Sequence, residues 1–238
     1  MSEKDMMRNW KRKPSIIHGL KYCPTIEPEY SDKEQRMFTR VGEGFGLPMC
    51  IESNIEPNIP LVHNGPSVRK VHTDLIRSLV LPSTKNILEI GINVYQEPLL
   101  STTRAILEEK HCNCVYLGVD INDNSAINNP AQNIYTITID SKFRHRIREY
   151  MLKLGMSTID LLMIDGDHSI EMTINDWCFT EFLSPFGTVI MRDTNIHIGP
   201  KAVFDAIDET LFNKQLVNDK MINEKFPDYG IGTARRLF

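Results

Sequence analysis

The chain has 238 residues, enough for one domain with a full core, and its 41% apolar and 24% charged residues are ordinary for a globular protein. A net charge of -4 gives no electrostatic basis for nucleic acid as the main partner, and no apolar run reaches membrane-spanning length. The charged N-terminus lacks a signal-peptide core and the 5 cysteines fall at no disulfide or zinc spacing, so a cytoplasmic protein with reduced thiols is expected.

Residues 1–65 open with the basic group Lys4, Arg8, Lys11, Arg12 and Lys13, and prolines from Pro14 to Pro60 then interrupt any periodicity. This stretch reads as an irregular arm or lid, separate from an α/β domain over 66–238. Gly42-Glu43-Gly44-Phe45-Gly46 is not a phosphate loop, because no strand precedes it and no Lys-Ser/Thr follows. The regular part begins at Pro66-Ser67, where Ser67 can cap a helix with Val71, Leu75 and Leu79 on one stripe. Asn86–Ile90 reads as a short buried strand, and Pro98 opens a helix with Leu99, Thr103, Ile106 and Leu107 inward. Val115–Val119 and Ile134–Ile139 are further strands, with the Asn-rich loop 122–133 between them. Phe143, Ile147, Met151 and Leu154 mark an amphipathic helix closed by Gly155.

Ile159–Ile164 and Val189–Met191 are apolar runs that each end near an aspartate. Ile170, Ile174, Trp177, Cys178 and Phe182 recur between them at helical spacing, and Ser184-Pro185-Phe186-Gly187 turns the chain. Such strand–helix–strand crossovers build parallel sheets. Val203, Ile207 and Leu211 mark one more helix, and Gln215–Ile222 and Gly230–Phe238 form a closing hairpin. The alternation predicts a doubly wound, mostly parallel seven-stranded sheet whose last strand enters antiparallel.

In an open parallel sheet, ligands bind beyond the carboxyl ends of the strands. Glu89, Asp120, Asp140 and Asp165 each fall at or near such an end, with His168 and Asp193 close by. An acid and glycine after the first strand, then an acid after the second, suit a nucleoside-bearing cofactor: the glycine admits the ligand and the second acid meets ribose hydroxyls. The structural alternative for any one acid is a cap on the following helix. His197 is expected at most to line the pocket, and Trp177 and Phe182 to be core.

Leu88-Glu89-Ile90-Gly91, Gly118-Val119-Asp120, Met163-Ile164-Asp165-Gly166-Asp167-His168 and Met191-Arg192-Asp193-Thr194 resemble the successive motifs of class I S-adenosylmethionine-dependent methyltransferases. The likeness runs from about Ser67 to Phe238 and is greatest to metal-dependent O-methyltransferases, macrolide sugar O-methyltransferases and cephalosporin-hydroxylase-like proteins. It implies a Rossmann-like methyltransferase fold. It also implies Glu89, Gly91 and Asn93 beside the methionine part of S-adenosylmethionine, Asp120 and Ile121 at the ribose, and Asp140 and Ser141 near adenine. Asp165 adjoins the cofactor and, with Asp193 and Thr194, would ligate Mg²⁺ or a similar divalent cation, and His168 would be the general base. The expected reaction is metal-assisted methylation of a small hydroxylated acceptor such as a sugar or polyol, by a chain that can form a homo-oligomer. The run from Ile92 to Pro98 departs from the family pattern of further small residues; Asn93, tolerant of left-handed backbone, would replace one of them. That departure keeps open a second reading, a methyltransferase fold retained as a binding or partner module. A nicotinamide-dependent dehydrogenase ranks last, because Gly-x-Gly-x-x-Gly is missing after the first strand.

Overall fold

A computed structural model of the protein describes residues 18–24, 66–93, 101–195, 197–217 and 229–238, with only the backbone for 66–70. Five α-helices and seven strands follow one another through these residues: α1 (Pro66–Leu79), β1 (Asn86–Ile90), α2 (Thr102–Glu109), β2 (Val115–Asp120), β3 (Ile134–Thr138), α3 (Arg144–Lys153), β4 (Ile159–Ile164), α4 (Ile170–Trp177), β5 (Leu183–Arg192), α5 (Ile198–Ala206), β6 (Phe212–Val217) and β7 (Ile231–Arg236). The strands form one sheet in the order β3-β2-β1-β4-β5-β7-β6. Neighbours are parallel from β3 to β5, while β7 runs antiparallel to both β5 and β6. This is the Rossmann-like methyltransferase architecture expected from the sequence. Among the described residues, no helix is long and apolar enough to cross a membrane.

The central strands lack polar alternation because both of their faces are covered. Ile87, Tyr116, Leu161, Met163 and Ile190 project to one face, against Ile76 and Val80 of the α1 region and Ala105 and Ile106 of α2. Leu88, Ile90, Leu117, Val119, Leu162, Ile164, Val189 and Met191 project to the other, against Ile147, Met151, Ile174, Trp177 and Val203. Helix α1 is rotated from the predicted stripe: Val71 is 42% exposed, whereas His72, Thr73 and Ile76 are buried. The predicted turn at Ser184–Gly187 lies inside β5. Leu183 pairs with Ile159 and the next pair is Thr188 with Leu161, so the intervening residues bulge out, with Phe186 exposed at φ 61°. Strand β6 begins at Phe212 rather than Gln215, and the predicted 218–222 lies outside the described residues, as do Pro98 and Leu99.

Of the expected arm, residues 18–24 lie on the sheet edge remote from the carboxyl ends of the parallel strands. Trp177 Nε1, at the end of α4, donates to His18 O (2.9 Å), and Lys21 N donates to Ala206 O at the end of α5 (2.8 Å). The rest of the arm, including Gly42–Gly46, lies outside the described residues.

Candidate active site

The sheet register assembles the rim. Ile90 is level with Val119 on one side and Ile164 on the other, and Ile164 is level with Met191. The next residue on each strand is therefore Gly91, Asp120, Asp165 and Arg192, four neighbours in a row. Gly91 has φ 83°, and a Cβ there would stand 2.1 Å from Asp165 O. The glycine is thus required by the approach of two strand exits, before any ligand is considered.

On the β2–β3 side, Asp120 organises its own turn. Its Oδ2 accepts from Ile92 N (2.8 Å), and its Oδ1 accepts from Asn122 N (2.7 Å) and Asn122 Nδ2 (3.1 Å). A carboxylate offers about four acceptor positions, and these bonds take three of them. Ile121 beside it is 52% exposed, an apolar surface suited to a purine or ribose. Asp140 Oδ1 accepts from Lys142 N (2.9 Å) and its Oδ2 pairs with Lys142 Nζ (2.7 Å), so this acid caps its turn. Ser141 is buried beside Asp176 of α4, whose carboxyl burial pushes up to about 7 despite bonds from Ser141 and Asn175. Asp176 was not singled out in the sequence; it packs close to Gly166, where a Cβ would lie 3.1 Å from its Oδ2.

Glu89 and Asn93 are placed differently from expectation. Glu89 is fully buried within the layer under α2, accepting from Thr103 Oγ1 (2.9 Å) and from the Tyr116 hydroxyl (2.5 Å), so it does not line the rim. Burial raises its carboxyl to about 8, against the lowering effect of those two bonds. Asn93 is not left-handed. Its N donates to Thr103 Oγ1 (2.9 Å) and its O accepts from Ser101 Oγ (2.5 Å), which ties the loop after β1 to the start of α2.

The β4–β5 side carries a buried polar cluster. Arg192 NH1 bonds Asp165 Oδ2 at 2.9 Å and its NH2 lies 3.5 Å from Asp193 Oδ1. His168 Nε2 stands 3.4 Å from Asp193 Oδ2 and 3.9 Å from Asp165 Oδ1. Asp193 adopts φ 60°, a conformation that aspartate tolerates better than most residues, as the chain leaves β5. Its carbonyl accepts from His197 N (3.1 Å), which brings the His197 ring onto His168 with centroids 4.0 Å apart and planes at 31°. Gly199 locks this arrangement: its N donates to His168 O (3.0 Å), and a Cβ there would come within 2.3 Å of the same oxygen. Burial alone would lower His168, but Asp165 and Asp193 outweigh it and raise its pKa. Burial likewise works against ionisation of Asp165, yet Arg192 and His168 hold it below its ordinary value. His197 is depressed to about 3 by burial and by the charge of His168.

Asp165, His168 and Asp193 are therefore brought together as anticipated, and Thr194 is buried next to them in sequence. The anticipated Mg²⁺ ligand set does not fit this arrangement, because the Arg192 guanidinium hydrogen-bonds Asp165 Oδ2 and lies within ion-pair distance of Asp193 Oδ1. The compact group that converges is instead His168, Asp193 and His197, with ligand atoms within 4.8 Å of one another. From the sequence, Arg192 has no role and His197 is expected at most to line the pocket. The four-residue spacing of His197 from Asp193, one helical turn, was a usable signal; the pairing of Arg192 with Asp165 depends on strand register.

The strand order and the glycine-and-acid rim define a class I methyltransferase fold, with a His–carboxylate cluster at the carboxyl edge of the parallel strands. No sequence-family profile and no curated protein matches the chain. Solved structures similar to it include the O-methyltransferase from Bacillus cereus in complex with SAH, at 13% identity and TM-score 0.50, covering 87% of this chain and 92% of that one. Another is the O-methyltransferase TomG from Streptomyces achromogenes, involved in tomaymycin synthesis and in complex with SAM, at 12% identity and TM-score 0.50, covering 90% and 93%. The MycE methyltransferase of the mycinamycin pathway, with Mg and SAH, aligns at 14% identity and TM-score 0.44; the chain spans 48% of its length. At these identities the likeness establishes the fold.

Proposed function

We propose that the chain is an S-adenosylmethionine-dependent O-methyltransferase acting on a small hydroxylated molecule, with a sugar or polyol as the favoured acceptor class. One observation supports this most: the sheet register puts Gly91 and Asp120 on the same rim as a buried histidine flanked by two carboxylates. Asp120 would hold the ribose hydroxyls, Ile121 would give apolar contact, and Asp140 with Ser141 would border the base. S-adenosylmethionine, when bound, supplies an electrophilic sulfonium methyl group.

The chain must then bring an acceptor hydroxyl into line and remove its proton. His168 fits the second task. Its Nε2 stands 3.4 Å from Asp193 Oδ2 and 3.9 Å from Asp165 Oδ1, which favour a proton on that nitrogen, and neither buried ring nitrogen has a hydrogen-bond partner among the described residues. Nδ1 is the atom left to accept the acceptor's proton, and the imidazolium so formed is stabilised by the flanking acids. His197 stays neutral and packs the ring in place. No step is assigned to a divalent cation, because Arg192 engages the acids that would bind one.

Calorimetric titration with S-adenosylmethionine tests the reading. The wild-type chain should bind with heat that Asp120→Ala reduces at least 10-fold in affinity, and S-adenosylhomocysteine should appear when a panel of polyols is added. No heat at millimolar cofactor would overturn the enzymatic proposal in favour of a binding module.

A further inference from the structure

We propose that Arg192 is a built-in cation, holding Asp165 and Asp193 as a divalent ion would otherwise hold them, so that this rim works without a metal. Each of the four carboxylate oxygens faces nitrogen. Asp165 Oδ2 and Asp193 Oδ1 face the guanidinium at 2.9 and 3.5 Å, while Asp165 Oδ1 and Asp193 Oδ2 face His168 Nε2 at 3.9 and 3.4 Å. Among the described residues the result is a ring of two acids and two bases, in which Arg192 NH1–Asp165 Oδ2 is a hydrogen bond and the other three contacts are longer ion pairs. Both acid side chains are nearly buried, at 6% and 9% exposure, and Arg192 at 18% is only slightly more open.

The backbone enforces this ring. Ile164 pairs with Met191 in parallel register, so Asp165 and Arg192 leave the sheet side by side and cannot drift apart without breaking β4 from β5. A magnesium ion needs near-octahedral oxygen ligands, and the oxygens offered here are already turned toward nitrogens. It would also have to approach a fixed positive charge within a poorly solvated cluster, where like charges repel most. The planar fork of arginine is suited to spanning two carboxylates, and its charge is permanent. An acceptor need not, on this account, present the chelating pair of oxygens that metal-assisted methylation favours; a lone hydroxyl suffices.

This inference concerns only the cluster, so its test needs neither cofactor nor acceptor and can fail separately from the proposed methyl transfer. Mn²⁺ is the probe, followed through loss of its free-ion paramagnetic resonance signal on adding the full-length chain. Wild type and Arg192→Lys, which retains the charge, should leave the signal of submillimolar Mn²⁺ unchanged. Arg192→Met should take up Mn²⁺ at least 10-fold more tightly than wild type, and Arg192→Met/Asp165→Asn should lose that uptake. Wild-type binding that Asp165→Asn weakens 10-fold would overturn the proposal, a result available even should the Arg192 variants fail to fold. Uptake of Co²⁺ by wild type, with a visible band abolished by His197→Ala, would overturn it too, by showing that His168, Asp193 and His197 hold a metal.

Discussion

Glu89→Gln separates a structural acid from a cofactor-facing one. Glu89 is fully enclosed, and its carboxyl moves from an ordinary 4.5 to about 8, mainly through burial. Between those values the folded chain keeps a proton that the unfolded chain has released, so stability falls as pH rises through that window. The full rise corresponds to roughly 5 kcal/mol of lost stability once pH exceeds the folded value, taking 1.36 kcal/mol for each pH unit. Glutamine has the shape of the protonated acid, with an oxygen to accept from Thr103 and an amide to donate to the Tyr116 oxygen. It does not ionise. Urea denaturation at pH 5 and pH 9 provides the assay. Both forms should be similarly stable at pH 5, and the variant should exceed wild type by several kcal/mol at pH 9. Equal stability of the two at pH 9 would refute the reasoning, and so would a variant destabilised equally at both pH values, since Glu89 would then be held as a carboxylate.

Gly91→Ala should cost roughly 3 kcal/mol in denaturation experiments, from left-handed backbone together with a steric clash against Asp165 O; a loss under 1 kcal/mol would show that the strand exits can separate. His168→Ala should lower the methyl-transfer rate by about 10²–10⁴-fold, the usual worth of a general base, while leaving the heat of cofactor binding unchanged. In wild type the acid limb of the rate profile should have its midpoint above the 6.5 of ordinary histidine, because the flanking acids favour the imidazolium. Asp193→Asn should shift that midpoint downward, and an unmoved limb would remove Asp193 from the base's environment. His197, depressed to about 3, is neutral when folded and charged when unfolded below pH 6.5, so it lowers stability as pH falls. His197→Asn should flatten that acid-side loss in thermal melts, whereas an unchanged slope would contradict its burial as a neutral ring.

The fold was readable because parallel strands covered on both faces appear as apolar runs without polar alternation, and Ile87–Ile90 (broken only by Glu89), Val115–Val119 and Leu161–Ile164 each stop close to a polar residue at the rim. Asp165, His168 and Asp193 were legible for the same reason, as chemistry placed just past a strand. Other features were hidden where local pattern conflicts with tertiary context. Ser184-Pro185-Phe186-Gly187 has turn composition, yet β4 captures its flanks and the residues bulge out of a longer strand. Asn93 has the chemistry of a left-handed residue, but Ser101 and Thr103 bind its backbone in another conformation. Glu89 sits in a motif that suggests a ligand contact, and its internal partners, Tyr116 on the adjacent strand and Thr103 on α2, come together only in the fold. Arg192 resembles any charged strand terminus until the register places it beside Asp165.

The backbone seam at Gly199 constrains how this rim can change. Because no side chain fits between α5 and the segment bearing His168, those two pieces of chain travel together, and the stacked imidazoles with them. Under the proposed methyl transfer, diversification toward a bulkier or slimmer acceptor would therefore be confined to the opposite bank, around β1, β2 and their exits. Substitutions that retune selectivity should cluster there and be scarce between Asp165 and Gly199, a distribution that a saturation-mutagenesis selection on varied alcohols would expose.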